Sequence, residues 1–206
     1  MNQIENIDQI LEMVGSSIDD VSSCEEDIAK LDDCFSLSYP DYLRPDITAN
    51  DKKMLEEIKE GIRAFRKRTY IKTAFSYIEG ILFAMKRILL EHSDKLTPKE
   101  TIKLQEYKIV GPNAENLHEE PIFVRFEDNI KFTFKKYGEL RANNYQINFN
   151  CKEWEIFIEC IKIRNRITHP KHSNDLNVND DEFNKCRDSY NWFFHILNDL
   201  QTHEIY

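Results

Sequence analysis

Glycine and proline are scarce in this chain, five and six among 206 residues. So few backbone breakers argue against a turn-rich β fold and for long regular elements, helices above all. No apolar run reaches the length of a membrane span; the richest, residues 78–90, is interrupted by Glu79, Lys86 and Arg87. The first residues lack a basic stretch leading into an apolar one, so no signal peptide is read there. The five cysteines, Cys24, Cys34, Cys151, Cys160 and Cys186, are odd in number and form no CxxC pair. They read as reduced thiols in a cytoplasmic protein rather than as a disulfide framework. No His and Cys residues stand at zinc-ligand spacing, so no zinc site is read here, and no cofactor is expected.

What is present is a globular composition, 41% apolar and 32% charged, with 13 Phe, nine Tyr and two Trp as large packing units. That suffices for one domain with a buried core and a small appendage. The net charge of −9 is unevenly placed. Residues 1–60 carry 16 acidic and five basic side chains, whereas residues 61–206 carry 21 acidic and 23 basic. The body of the protein can therefore present a basic surface despite the overall sign, although a solvated acidic face is the plainer account of the excess.

Apolar spacing predicts short amphipathic helices at 3–14 and 24–34, followed by a loop holding Pro40 and Pro45. An acidic helical appendage over 1–48 and a bundle domain over 49–206 are the expected division. A long helix is predicted from Asp51 to His92, with a kink or split near Gly61. Its inward face is Ile71, Phe75, Ile78, Leu82, Met85 and Leu89. Thr97-Pro98-Lys99-Glu100 has the N-cap, first-turn proline and capping-box glutamate of a helix running to about Tyr107. Residues 108–127 read as irregular, with Ile122, Val124 and Phe126 alternating as in a short strand or extended loop. A helix over 129–141 is favoured over a hairpin. Asn150 with Glu153 opens a further helix, 151–168, closed by Pro170; Asn179 with Glu182 opens the last, to about Leu200. The fold class is all-α, a helical bundle.

The segment that carries chemistry is Lys162-Ile-Arg-Asn-Arg-Ile-Thr-His-Pro-Lys171, with four basic side chains, a histidine and no acid. Cations gather at helix C-termini, so basicity alone is ordinary. The arrangement says more. Asn165 and His169 are four apart and share a helix face, where the amide can orient the imidazole. Arg164 and His169 are five apart, about 140° around a regular helix. They converge on one phosphate only if Pro170 lets His169 depart from the helical direction, most easily opposite a second copy of the helix.

Arg164-Asn165 followed by His169 at a helix end resembles the Arg-x(4–6)-His motif of the HEPN superfamily in its Arg-Asn form. The resemblance extends over roughly residues 60–203, with 93–150 as an insertion between core helices, and does not reach 1–50. It implies a HEPN-like helical bundle and a metal-independent endoribonuclease acting as a homodimer with motifs from both subunits lining one cleft. His169 would be the general acid or base, Arg164 would hold the scissile phosphate, and Asn165 would order the site. RNA supplies its own nucleophile, the 2′-OH, so an imidazole that moves a proton and a guanidinium that forks onto phosphate oxygens suffice. Products would be a 2′,3′-cyclic phosphate and a 5′-OH. The family further implies an RNA substrate such as tRNA, a toxin or antiviral-defence role, and an antitoxin or defence-system partner.

Lys162, Arg166 and Lys171 are candidates to track the RNA backbone, against the alternative of solvated surface cations. Glu79 is the candidate for the acid that in several groups of the family pairs with the motif arginine; the plainer account is a solvated helix glutamate. His172 and His195 read as structural. The competing function is a non-catalytic HEPN-like module that binds a protein or nucleotide partner, favoured by the acidic overall charge and the lack of stacking aromatics beside the motif.

Overall fold

A computed structural model of the chain describes residues 48–111 and 118–203. The helices expected at 3–14 and 24–34 lie outside the described residues. Among those described, five α-helices, two short 3-10 turns (Ser93–Lys95 and Ser173–Leu176) and one two-stranded antiparallel sheet form the regular structure. The α-helices and strands are α1 (Ala49–Glu91), α2 (Pro98–Gln105), β1 (Tyr107–Val110), β2 (His118–Pro121), α3 (Phe126–Arg141), α4 (Lys152–Thr168) and α5 (Asp180–Thr202). The molecule is thus mostly helical, as the scarcity of breakers predicts. None of the described helices is long and apolar enough to cross a membrane.

Helix α1 runs 43 residues without the break expected at Gly61. A lone glycine costs a helix only about 1 kcal/mol relative to alanine, and Gly61 sits exposed with open space around it. The six residues named for the inward face are all buried. Helix α2 opens with the reciprocal capping box: Thr97 Oγ1 accepts from the Glu100 amide and Glu100 Oε2 accepts from the Thr97 amide. It stops at Gln105 because Glu106 turns left-handed, at φ 60°.

Of the two alternatives for residues 122–126, strand or extended loop, residues 122–125 take the loop, whereas the irregular reading of 108–127 is corrected. The strands lie earlier, pairing Tyr107 with Pro121 and Lys108 with Glu120. Ile122 is tied back through its amide to the Glu106 carbonyl at 2.8 Å. Phe126 already opens α3, whose first turn carries Glu127 and Asp128, acids that favour a helix N-terminus.

The described residues form two compact units. One contains residues 48–77 and 155–190. Its core is aromatic: Tyr70 meets Phe183 edge-on at 5.3 Å between centroids, Phe75 meets Phe157 at 5.7 Å, and Tyr77 meets Tyr190 at 5.9 Å. Such pairs add to the gain from area burial. The start of α5 is fixed as its sequence predicts. The Glu182 amide donates to Asn179 Oδ1 at 2.9 Å, the Asn179 amide donates to Glu182 Oε2 at 3.2 Å, and Val178 and Phe183 are buried at the positions of a hydrophobic staple. Lys67 pairs with Asp180, and an Arg68 Nη1 donates to the Leu176 carbonyl at 3.1 Å.

The other unit contains residues 78–111, 118–154 and 191–203. Ile78, Leu82, Met85, Leu89, Ile130, Phe134, Tyr137, Phe193 and Leu197 are buried there. Phe134 is the hub, edge-on to Phe193 at 5.6 Å and to Phe149 at 6.5 Å; Phe149 in turn meets Trp154 at 4.8 Å. A buried lysine, Lys86, is accommodated because its Nζ donates to Glu106 Oε1 at 2.6 Å, an oxygen that also accepts from Asn129 Nδ2 at 2.7 Å. The left-handed turn that ends α2 is what brings Glu106 to that lysine.

Candidate active site

Helix α4 is seated by Trp154, Phe157, Cys160, Ile161 and Ile167, all buried, while Ile158 is half-buried. This face leaves the opposite side of the last turns open. Lys162, Asn165 and His169 are exposed, and Arg164 and Arg166 are half-buried.

Arg164 Nη1 donates to the Asn165 Oδ1 at 3.1 Å. The Asn165 side-chain oxygen is thus turned to the neighbouring guanidinium, and no side-chain hydrogen bond joins Asn165 to the His169 ring. What links Asn165 to His169 is backbone, the His169 amide donating to the Asn165 carbonyl at 3.0 Å. The helical hydrogen-bond pattern thus reaches the His169 amide, and Pro170, which has no amide hydrogen, cannot extend it. The His169 ring makes no hydrogen bond or ion pair with any described residue, so both ring nitrogens are open to a ligand.

The chain after Pro170 is held by Asp175. Its Oδ2 accepts from the Lys171 amide at 2.7 Å and the His172 amide at 2.9 Å. Those two backbone donors keep the Asp175 carboxyl below its usual range. The loop that follows the motif is thereby fixed at its first turn, with the Lys171 side chain left exposed.

The proposed cations divide. Arg166 is committed inward, its Nη2 at 2.9 Å from both carboxylate oxygens of Glu182. Lys162 and Lys171 carry no side-chain partner among the described residues. Glu79 is half-buried on α1. Sequence spacing marks Glu182 as the capping acid of α5 but not as the partner of Arg166, and Asp175, which holds the loop after α4, is not singled out by it. Asp175 nevertheless stands three residues after His172, as Glu182 does after Asn179, which is the capping-box interval.

No family model, curated protein or solved structure matches the chain.

Proposed function

We propose that the protein is a metal-independent endoribonuclease with a HEPN-like site built from Arg164, Asn165 and His169. The observation that carries the reading is the pairing of an exposed, unpartnered His169 with a half-buried Arg164 whose guanidinium is steadied by Asn165 Oδ1 at 3.1 Å. A general acid or base must be reachable, and a phosphate clamp must be charged and oriented; the two side chains meet one requirement each. In the reaction the RNA 2′-oxygen attacks the adjacent phosphorus and gives up its proton. The 5′-oxygen leaves and gains one, and His169 is the group that moves a proton. Arg164 stabilises charge gathering on the phosphate oxygens. The products are a 2′,3′-cyclic phosphate and a 5′-OH. The angle between positions 164 and 169 favours a homodimer in which the histidine of one copy serves with the arginine of the other.

His169→Ala is expected to lower cleavage of total tRNA by about 10²–10⁴-fold while leaving the circular dichroism spectrum and RNA affinity as in the parent. Arg164→Ala should remove cleavage and weaken binding as well. Activity should persist in EDTA, and end mapping should find cyclic phosphates. A folded His169→Ala protein that cuts at the parental rate would refute the mechanism.

One observation favours the second reading, a non-catalytic binding module: Arg166 is spent on Glu182, so the motif offers fewer free cations than its sequence suggests. A parent protein that binds RNA or a protein partner but never cuts would put that reading first.

A further inference from the structure

The segment between β2 and α3, with the outer sides of α2 and α3, encloses an open groove of about 790 Å³. Lys103, Phe123, Arg125, Lys131, Phe132 and Lys135 line it, with Asp128 as the acid among the lining residues. Positions 128, 131, 132 and 135 fall on one stripe of α3, which is why three short stretches of chain deliver so much charge to one place. In a protein of net charge −9, this is a local excess of cations.

Three of those cations, Lys103, Arg125 and Lys131, have no acidic partner among the described residues. Lys103 Nζ lies 4.2 Å from the centre of the Phe132 ring, and Lys131 Nζ lies 4.9 Å from that of Trp154. Ring faces position ammonium groups without cancelling their charge. The Arg125 side chain is exposed and has no partner among the described residues, and Lys135 reaches Glu139 only at 3.8 Å. Beside them Phe123 is 91% exposed. Burial in the core does not account for a phenylalanine there, and a flat apolar face next to four cations is what a stacked base requires. A purely acidic partner would be met by the cations and would leave Phe123 without a role.

We propose that this groove holds a single-stranded nucleic-acid segment, a base stacking on Phe123 and its phosphates lying along Lys103, Arg125, Lys131 and Lys135. The choice of RNA as the strand rests on the ribonuclease reading above, but binding is measured apart from cleavage. Fluorescence anisotropy of the full chain with labelled oligouridylate, and with oligothymidylate as an uncleavable probe, tests it. Both should bind, and affinity should fall with salt at a log–log slope of about −0.7 per phosphate neutralised. Phe123→Ala should weaken both by about tenfold, and Phe123→Tyr should bind as the parent. Arg125→Glu and Lys135→Glu should weaken binding and flatten the salt slope. All three positions are exposed, so circular dichroism should remain parental.

Parental affinity in both Phe123→Ala and Arg125→Glu would overturn the groove, and cleavage by those variants would leave the nuclease standing. Binding that depends on Phe123 in a protein that never cuts would uphold the groove and remove the nuclease. Failure to bind either oligonucleotide would overturn it. So would competition by polyglutamate as effective as by oligouridylate and indifferent to Phe123, which would assign the surface to an acidic protein.

Discussion

Glu182 shows how one carboxylate can serve two ends of the chain. It accepts the Asn179 amide, capping α5, and it accepts Arg166 from α4, with 23% of its side chain exposed. Losing the Glu182 half of the capping box removes one hydrogen bond, about 1 kcal/mol, while the Asn179 side chain still caps the helix, and a half-buried arginine left unpaired adds to that loss. Glu182→Ala is therefore expected to destabilise by about 2–3 kcal/mol in urea unfolding, with Glu182→Gln intermediate. Lys162→Ala, which removes only a solvated ammonium, should leave the midpoint unchanged. The same contrast explains what the sequence could not say about the cations. Lys162, Arg166 and Lys171 are alike in a string of letters, and only the placement of Glu182 sixteen residues beyond Arg166 separates them. Residue identity made the motif legible; which of its charges remain free depends on a tertiary pairing that periodicity does not encode.

At the scale of elements, the start of α2 joins a local signal to a distant one. Glu100 Oε2 accepts from Thr97, and Glu100 Oε1 meets Lys136 Nζ on α3 at 2.5 Å, the ammonium being shared with Glu139 at 2.6 Å. The Lys136 hydrogen bond, with those from Thr97, holds the Glu100 carboxyl down to about 2. Because the folded value lies below the unfolded one, this interaction stabilises fully above about pH 4.5 and is lost as pH falls toward 2. An acid titration of stability should be shallower across that window in Glu100→Gln than in the parent. Equal slopes would refute the assignment. Helices α1, α2, α4 and α5 were all legible from caps, apolar spacing and Pro170, since their stop and start signals are local. The hairpin was not. Tyr107–Val110 and His118–Pro121 have no clean alternation, and their pairing rests on register and on the Lys108–Glu120 ion pair at 3.0 Å rather than on a buried face.

For the whole molecule, the ribonuclease reading favours two copies of α4 facing one another. Light scattering at micromolar concentration is expected to give a dimer, and mixing His169→Ala with Arg164→Ala protein should restore part of the activity, because one of the two composite sites would regain both residues. A monomer that cleaves RNA at the parental rate would rule out the shared site. The all-α class followed from composition, whereas the groove on α3 did not. Its cations are scattered over residues 103–135 in sequence, and Phe123 looks like any other aromatic until its exposure is known.

Helix α1 is unbroken in its hydrogen bonding but not in its surroundings. Met54, Leu55, Ile58, Ile62 and Phe65 are exposed, whereas from Tyr70 to Leu89 most large side chains are buried. Short stretches of helix hold poorly in water without a packed face. The first turns of α1 can therefore open and reclose by themselves, on a timescale set by fraying, while the later turns open only when the core around them is lost. A single rod of secondary structure is thus expected to show two lifetimes, which amide hydrogen exchange along α1 would separate.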